Sequence, residues 1–383
     1  MTRFAALMMI AVLSASQTTA QTDPFDFAAG GRIQEFVVSV SNIERTRAAF
    51  TDVLKWRVIE QGKTDPSVSR LWSLDVDTPI KQVLVGNAES KYGYVRLVEI
   101  DRPDRQIIRP GGRWWDTGGM FNFNVLVRNL DATIAGLRQL GWTSAALPEI
   151  YERPGNVRGK SMIMIGPDDI VVSFQERQSP PLQGWPPFDG ASHIEVGYQV
   201  VTDVARWFEF YTGTLGFPAV GGIRDSKSDK PLGQNSYGLP HNLVGVMDGR
   251  QANIRPRDKM EQSLGARQFP NAEGHDFSDR ARPPNLGIIS ARLPVPDILA
   301  MREKLMAAKA DIVSDLQVVK LSPYGDVRAL AVRSPGGSGF WLELFQPGAK
   351  PMTESELKTF TKNGRFSTWI RFNKADSICK CST

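Results

Sequence analysis

The chain has 383 residues, with 46 Lys and Arg against 41 Asp and Glu, a net charge of +5, and 41% hydrophobic residues. That length is ample for two domains with substantial cores, and the basic residues are scattered among acids without a basic helix or run, so no nucleic-acid partner is expected. Cys379 and Cys381, the two cysteines, both lie in the last few residues, which excludes a disulfide scaffold.

Arg3, an apolar-rich run from Phe4 to Ala15 and the small residues Thr18-Thr19-Ala20 before Gln21 read as a secretory signal peptide over residues 1–20. The apolar run is short for a membrane span, which needs about 20 residues. No Cys marks the cleavage site as that of a lipoprotein, and no later segment is long and apolar enough to cross a bilayer. The mature protein is therefore expected to be periplasmic or secreted, without a membrane contact.

The rest of the chain repeats one unit four times: an apolar strand, an Asn or Asp cap, an amphipathic helix and a Leu-Gly-aromatic type of turn. The first copy has Phe36 to Val40, Asn42 and Leu54-Lys55-Trp56, followed by strand-like runs at Lys81 to Val85 and Tyr94 to Val98. The second has Phe123 to Val127, Asn129 and Leu140-Gly141-Trp142. The third has Ile194 to Val201, Asp203 and Leu215-Gly216-Phe217, and the fourth has Ile288 to Leu293, Asp297 and Ala308-Lys309-Ala310. In the third copy Val204, Phe208, Tyr211 and Leu215 fall on one face of a 3.6-residue period, and the cap residues are suited to bind the free amides of the first turn. Each unit reads β-α-β-β-β. From cap to turn the spacing is 13 in copies one and three and 12 in copies two and four, which suggests that a pair of units was itself duplicated.

The proline-rich stretch at residues 179–187 suits an extended connector. It divides the chain into an N-terminal domain of two units, residues 25–178, and a C-terminal domain of two units, residues 188–348. Residues 249–284 are polar and rich in Arg, Asp, Gly and Pro, and are expected to form an inserted loop, a candidate lid. Residues 349–383 form a C-terminal tail.

These features resemble the vicinal oxygen chelate superfamily, which includes glyoxalase I, bleomycin-resistance proteins and extradiol dioxygenases. The resemblance rests on Asp203 with Phe210-Tyr211 and Leu215-Gly216-Phe217, on Gly166-Pro167-Asp168-Asp169 before Ile170-Val171-Val172, and on Ser334-Pro335-Gly336-Gly337 before Phe340 to Phe345. It implies an α+β fold in which four βαβββ units pair into two cupped mixed-sheet domains with helices on the outside. It also implies one divalent metal, Fe, Mn, Zn, Ni or Co, held in a cup by residues of the first and last strands of each unit.

The first-strand position, seven before the cap, falls on Glu35, Asn122, Val196 and Ser290, and the last-strand position on Arg96, Ser173 and Glu343. Glu35 and Arg96 are expected to pair as opposite charges, with Asn122 and Ser173 hydrogen-bonding nearby. Glu343, a carboxylate within Phe340-Trp341-Leu342-Glu343-Leu344-Phe345, has to meet a polar cavity or a partner, because burying it alone costs several kcal/mol. Among three histidines, His193 and His241 are the candidate metal partners of Glu343, and His275 could reach in from the loop. Imidazole and carboxylate would leave coordination positions open. Without metal, Glu343 is the candidate base, His241 the acid, and Tyr324 or Arg328 the group that fixes an anionic or phenolic ligand.

The expected function is that of an exported enzyme acting on a small cyclic or aromatic oxygenated compound by a lyase, isomerase or ring-opening step at one site in the C-terminal domain. The competing reading is a non-catalytic protein that sequesters a hydrophobic small molecule. Either would be a monomer or homodimer.

Overall fold

The computed structural model describes residues 32–227, 238–239, 247–255 and 262–348. The signal segment, the tail with both cysteines, and His241 lie outside the described residues.

All four units have the expected order. The first comprises β1 (Glu35–Ser39), α1 (Ile43–Ala48), β2 (Arg57–Lys63), an additional helix α2 (Pro66–Leu71), β3 (Ile80–Gly86) and β4 (Tyr94–Ile100). The second comprises β5 (Met120–Val127), α3 (Leu130–Gln139), β6 (Glu149–Arg153), β7 (Val157–Ile165) and β8 (Val171–Ser179). The third runs β9 (Ala191–Val200), α4 (Val204–Glu209), β10 (Arg224–Lys227), β11 (Asp248–Ile254) and β12 (Ser263–Gln268). The fourth runs β13 (Gly287–Pro294), α5 (Ile298–Ala307), β14 (Ile312–Leu321), β15 (Gly325–Arg333) and β16 (Trp341–Pro347).

The four caps act as the sequence suggests. Asn42 accepts from Arg45 N, Asn129 from Ala132 N, Asp203 from Ala205 N and Arg206 N, and Asp297 from Ala300 N. The alternating spacing has a structural cause. After α1 and α4 the chain makes a π-helical turn, at Ala49–Val53 and Phe210–Thr214, and such a turn absorbs one extra residue. The two units with the shorter spacing have none.

The pairing of units departs from the consecutive halves expected. One eight-stranded sheet has the order β14-β15-β16-β13-β1-β4-β3-β2 and the other β10-β11-β12-β9-β5-β8-β7-β6. The first unit therefore shares a sheet with the fourth, and the second with the third. The joins are antiparallel first strands, β1 with β13 and β5 with β9. Residues 179–187 consequently connect two strands of one sheet, β8 and β9, rather than two separate domains. The supposed inserted loop at 249–284 also contains most of β11 and all of β12, and β12 is the closing strand of the third unit, parallel to β9.

Strand alternation gives each sheet two faces with different partners. Phe36, Val38, Val95, Leu97, Leu342 and Leu344 belong to one large core shared by both sheets and their flanking helices, in which Phe36 stacks on Phe123 at 5.9 Å. The opposite faces line the cups. In the first–fourth cup Val37, Tyr94, Val98, Trp341 and Phe345 form a separate cluster with Val68, Leu71 and Trp72, so α2 and the residue after it fill part of that cup.

Candidate functional site

The inner face of the first–fourth cup carries a row of charges on four adjacent strands. Glu35 on β1 lies opposite Arg292 on β13, and Arg292 beside Glu343 on β16. Arg96 follows on β4, so across β16, β13, β1 and β4 the signs alternate. Arg292 donates from Nε to Glu343 Oε2 and from Nη1 to Glu35 Oε1, both at 2.7 Å. Arg96 holds Glu35 with two parallel bonds, Nε to Oε1 at 2.7 Å and Nη2 to Oε2 at 2.9 Å, the strong geometry for this pair. The four residues are at most 1% exposed.

The remaining bonds saturate the row. Tyr324 donates its hydroxyl to Glu35 Oε2 at 2.6 Å, and Arg96 Nη1 reaches Gln82 Oε1 at 2.9 Å and Glu60 Oε2 at 3.3 Å. Trp72 Nε1 donates to Glu343 Oε1 at 2.9 Å, and the Ser290 hydroxyl makes a short bond to the same oxygen. Burial alone would raise the Glu35 pKa, but the guanidinium charges of Arg96 and Arg292, with hydrogen bonds from Arg96 and Tyr324, hold it below the usual carboxylate value. Burial, reinforced by the Glu35 charge, pushes the Tyr324 hydroxyl well above its ordinary value, which keeps it a donor. Burial would lower the Arg292 pKa, but Glu343 and Glu35 hold it up.

Trp72 is the wall between this row and solvent. It follows α2, whose start is set by Pro66 and by Asp65 accepting from Ser67 N at 2.9 Å. Its ring lies 5.8 Å from the Arg292 guanidinium carbon. With Trp341 and the chain between Asp279 and Asn285 it also lines an open cleft of about 680 Å³.

The predicted site residues divide accordingly. The expected Glu35–Arg96 pair forms, and Tyr324 joins it, but Glu343 belongs to the same network instead of a separate half. Asn122 and Ser173 are in the other cup: Ser173 lies beside Asn124 across β8 and β5, and Asn122 Nδ2 bonds Asn124 Oδ1 at 2.6 Å. Arg328 shares strand parity with Leu330 and Val332, which pack in the helix-side core, so alternation turns it away from the cup. His193 is on β9 of the second–third sheet, buried between Tyr92 and Trp185 at ring distances of 4.8 and 4.9 Å, and is not brought to Glu343. His275 is largely exposed, beside Asp116 and stacked on Phe277. Arg292 and Trp72 were missed. Arg292 interrupts the apolar run Ile288 to Pro294 much as Glu343 interrupts its own strand, and that signal was available; Trp72 gave none.

Neither a scan of family profiles nor a search of curated proteins produced a match. Solved structures do match over most of the chain. Glyoxalase I from Zea mays aligns with a TM-score of 0.53 at 14% identity, covering 82% of this chain and 92% of that one. A candidate dioxygenase from Bacillus subtilis aligns with a TM-score of 0.52 at 11% identity, covering 87% and 95%. The chain has the vicinal oxygen chelate fold.

The divalent metal implied by that fold does not fit the first–fourth cup. Every oxygen of Glu35 and Glu343 already accepts a hydrogen bond, and the guanidiniums of Arg96 and Arg292 occupy the space between them with positive charge. Among the described residues no group of three or more His, Cys, Asp or Glu could hold a metal ion. In this vicinal oxygen chelate cup two arginines neutralise the carboxylates that a cation would otherwise require.

Proposed function

We propose that this is an exported protein of the vicinal oxygen chelate fold that binds a small cyclic or aromatic oxygenated compound at the mouth of its first–fourth cup, and that Glu343 supports the site without acting as a base. The observation that carries this reading is a saturated charge row beside an open cleft of about 680 Å³ bordered by the buried indoles of Trp72 and Trp341. A general base has to present a free lone pair to the proton that it removes. Glu343 is 1% exposed and accepts from Trp72 and Ser290 on one oxygen and from Arg292 on the other. The row instead holds the buried Trp72 indole, which borders the cleft. Export rests on residues 1–20 alone. A monomeric unit is supported by the completion of both cups within one chain.

The likeness to glyoxalase I supports a second reading, an enzyme of lyase, isomerase or ring-opening type acting on the same class of compound through groups of the cleft. One experiment addresses both. Calorimetric titration with phenol, catechol and benzoate is run on the wild type, Trp72→Ala and Glu343→Gln, and the mixtures are then checked for new products by mass spectrometry. Binding that is lost in Trp72→Ala and retained in folded Glu343→Gln is expected. No binding by any of the three compounds, or product formation abolished by Glu343→Gln in a folded protein, refutes the proposal.

A further inference from the structure

Each sheet has two edge strands, β14 and β2 in one and β10 and β6 in the other. An open edge presents unpaired amides and carbonyls, and proteins protect it with charge, irregularity or a covering element. Three of the four edges are protected in this way. β14 lies against α2, with Lys320 N donating to Ser67 Oγ at 2.9 Å. β2 carries Arg57, Glu60 and Lys63 and a register shift between Val58 and Glu60, and β10 is Arg-Asp-Ser-Lys. β6 pairs with β7 on one side, and no described strand lies on the other. At that edge stand the two most exposed large apolar side chains among the described residues, Leu147 at 76% and Ile150 at 58%. Ile150 lies opposite Lys160 of β7, whose Nζ reaches Asp131 of α3 at 3.0 Å, so it faces the helix side of the sheet.

A strand suited to this edge occurs in the tail, outside the described residues. Residues 366–372 alternate with period two, Phe366, Thr368, Ile370 and Phe372 on one side and Ser367, Trp369 and Arg371 on the other, the pattern of a strand with one face to bury. From Lys358 to Lys374 this stretch carries five basic residues and no acid. β6, with Glu149 and Glu152 against Arg153, is the one edge strand of net negative charge, since β2 and β10 each carry two cations and one anion and β14 one of each. We propose that residues 366–372 add to β6 as a ninth strand of the second–third sheet, with the Phe366, Ile370 and Phe372 side covering Ile150 and Leu147. In strand addition of this kind main-chain bonds supply the affinity and alternate side chains the specificity, and opposite charge selects the edge. The length allows it within one chain. Residues 349–365 can span up to about 60 Å when extended, against a radius of gyration of roughly 20 Å for a fold of this size.

The test is hydrogen–deuterium exchange of the full-length protein, read by mass spectrometry on peptides covering residues 149–153 and 366–372. Ile370→Asp in the tail and Ile150→Asp on β6 place a charge on either side of the contact. Each is expected to speed exchange in both peptides by at least about tenfold, as an opened element does, while β16 is unchanged. Should β16 respond to Ile150→Asp, Leu147→Asp takes its place, because that side chain is 76% exposed. Exchange at 149–153 that Ile370→Asp leaves unmoved overturns the proposal, as does release of β2, β10 or β14 by that variant in place of β6. Protection of β6 that fades on dilution of the protein assigns the edge to a second copy and overturns docking within one chain.

Discussion

Among the described residues Arg292 alone holds both carboxylates of the buried row, so Arg292→Met tests the electrostatic reasoning directly. Glu35 would keep its two bonds from Arg96 and the one from Tyr324, whereas Glu343 would lose its cationic partner among the described residues and retain Trp72 and Ser290. Removing one partner of a buried pair typically costs about 3–5 kcal/mol, because the other charge remains without compensation. At about 2 °C for each kcal/mol in a chain of this size, the melting temperature should fall by roughly 6–10 °C. Glu343→Gln in the wild-type background should also destabilise, since it leaves the Arg292 guanidinium facing a neutral amide. In the Arg292→Met background the same change removes the stranded charge and should stabilise. The sign reversal is the decisive outcome, measured by urea denaturation of the two single variants and the double variant. Effects that add to within about 0.5 kcal/mol, as for independent sites, would refute the view that these charges form one coupled network.

Other outcomes follow from the same geometry. Because the Glu35 pKa lies below the ordinary carboxylate value in the folded protein, its contribution should be complete above the ordinary value and be lost as pH falls through the depressed folded value, which a melting series in acid will show. Tyr324 and Tyr94 are shifted upward by burial and by the Glu35 charge, and burial pushes Tyr211 up to about 12. Ultraviolet titration should therefore leave these three of the seven tyrosines protonated at pH 10, and their contribution to stability should disappear only as pH rises through the folded values. Gly86→Ala would place a Cβ 2.2 Å from Tyr94 Cδ1, whose hydroxyl is tied to the Ser90 carbonyl at 2.6 Å, and should cost about 1–3 kcal/mol as overpacking, read by denaturation. If the first–fourth cup takes no cation, excess Mn²⁺ or Zn²⁺ should not protect it. The melting temperature should then move by less than about 1 °C on adding either ion or a chelator.

Much of the fold was legible because its signals are local. The four caps, the helix periodicities and the alternation of Trp341, Glu343 and Phe345 against Leu342 and Leu344 depend on neighbours a few residues away. The extra residue in the first and third copies was visible as spacing, and the π-helical turns show where it goes. The site was less legible. Glu343 and Glu35 were recognisable as charges in apolar strands, and Arg96 as the partner of Glu35, but Glu343 was assigned to a different cavity from that pair. Arg328 was misdirected because a position near the cup was taken without its strand parity. His193 was considered for its chemistry, although the rings of Tyr92, about a hundred residues away, and of nearby Trp185 enclose it. The third unit was the hardest to delimit, since the polar composition of residues 249–284 hid two short strands.

What the sequence by itself determined was the repeating βαβββ unit and the inner position of a glutamate on its closing strand, both set by capping and by the two-residue period of a strand. Only the tertiary structure decided which units share a cup. The edges that join them, β1 to β13 and β5 to β9, pair through backbone amides and carbonyls that every strand possesses, so hydrogen bonding alone distinguishes no partner. Side chains from remote parts of the chain make the distinction, as Glu35 and Arg96 of the first unit interleave with Arg292 and Glu343 of the fourth. That assembly turns two isolated carboxylates into one neutral row, with Trp72 bonded to it as the wall of the cleft.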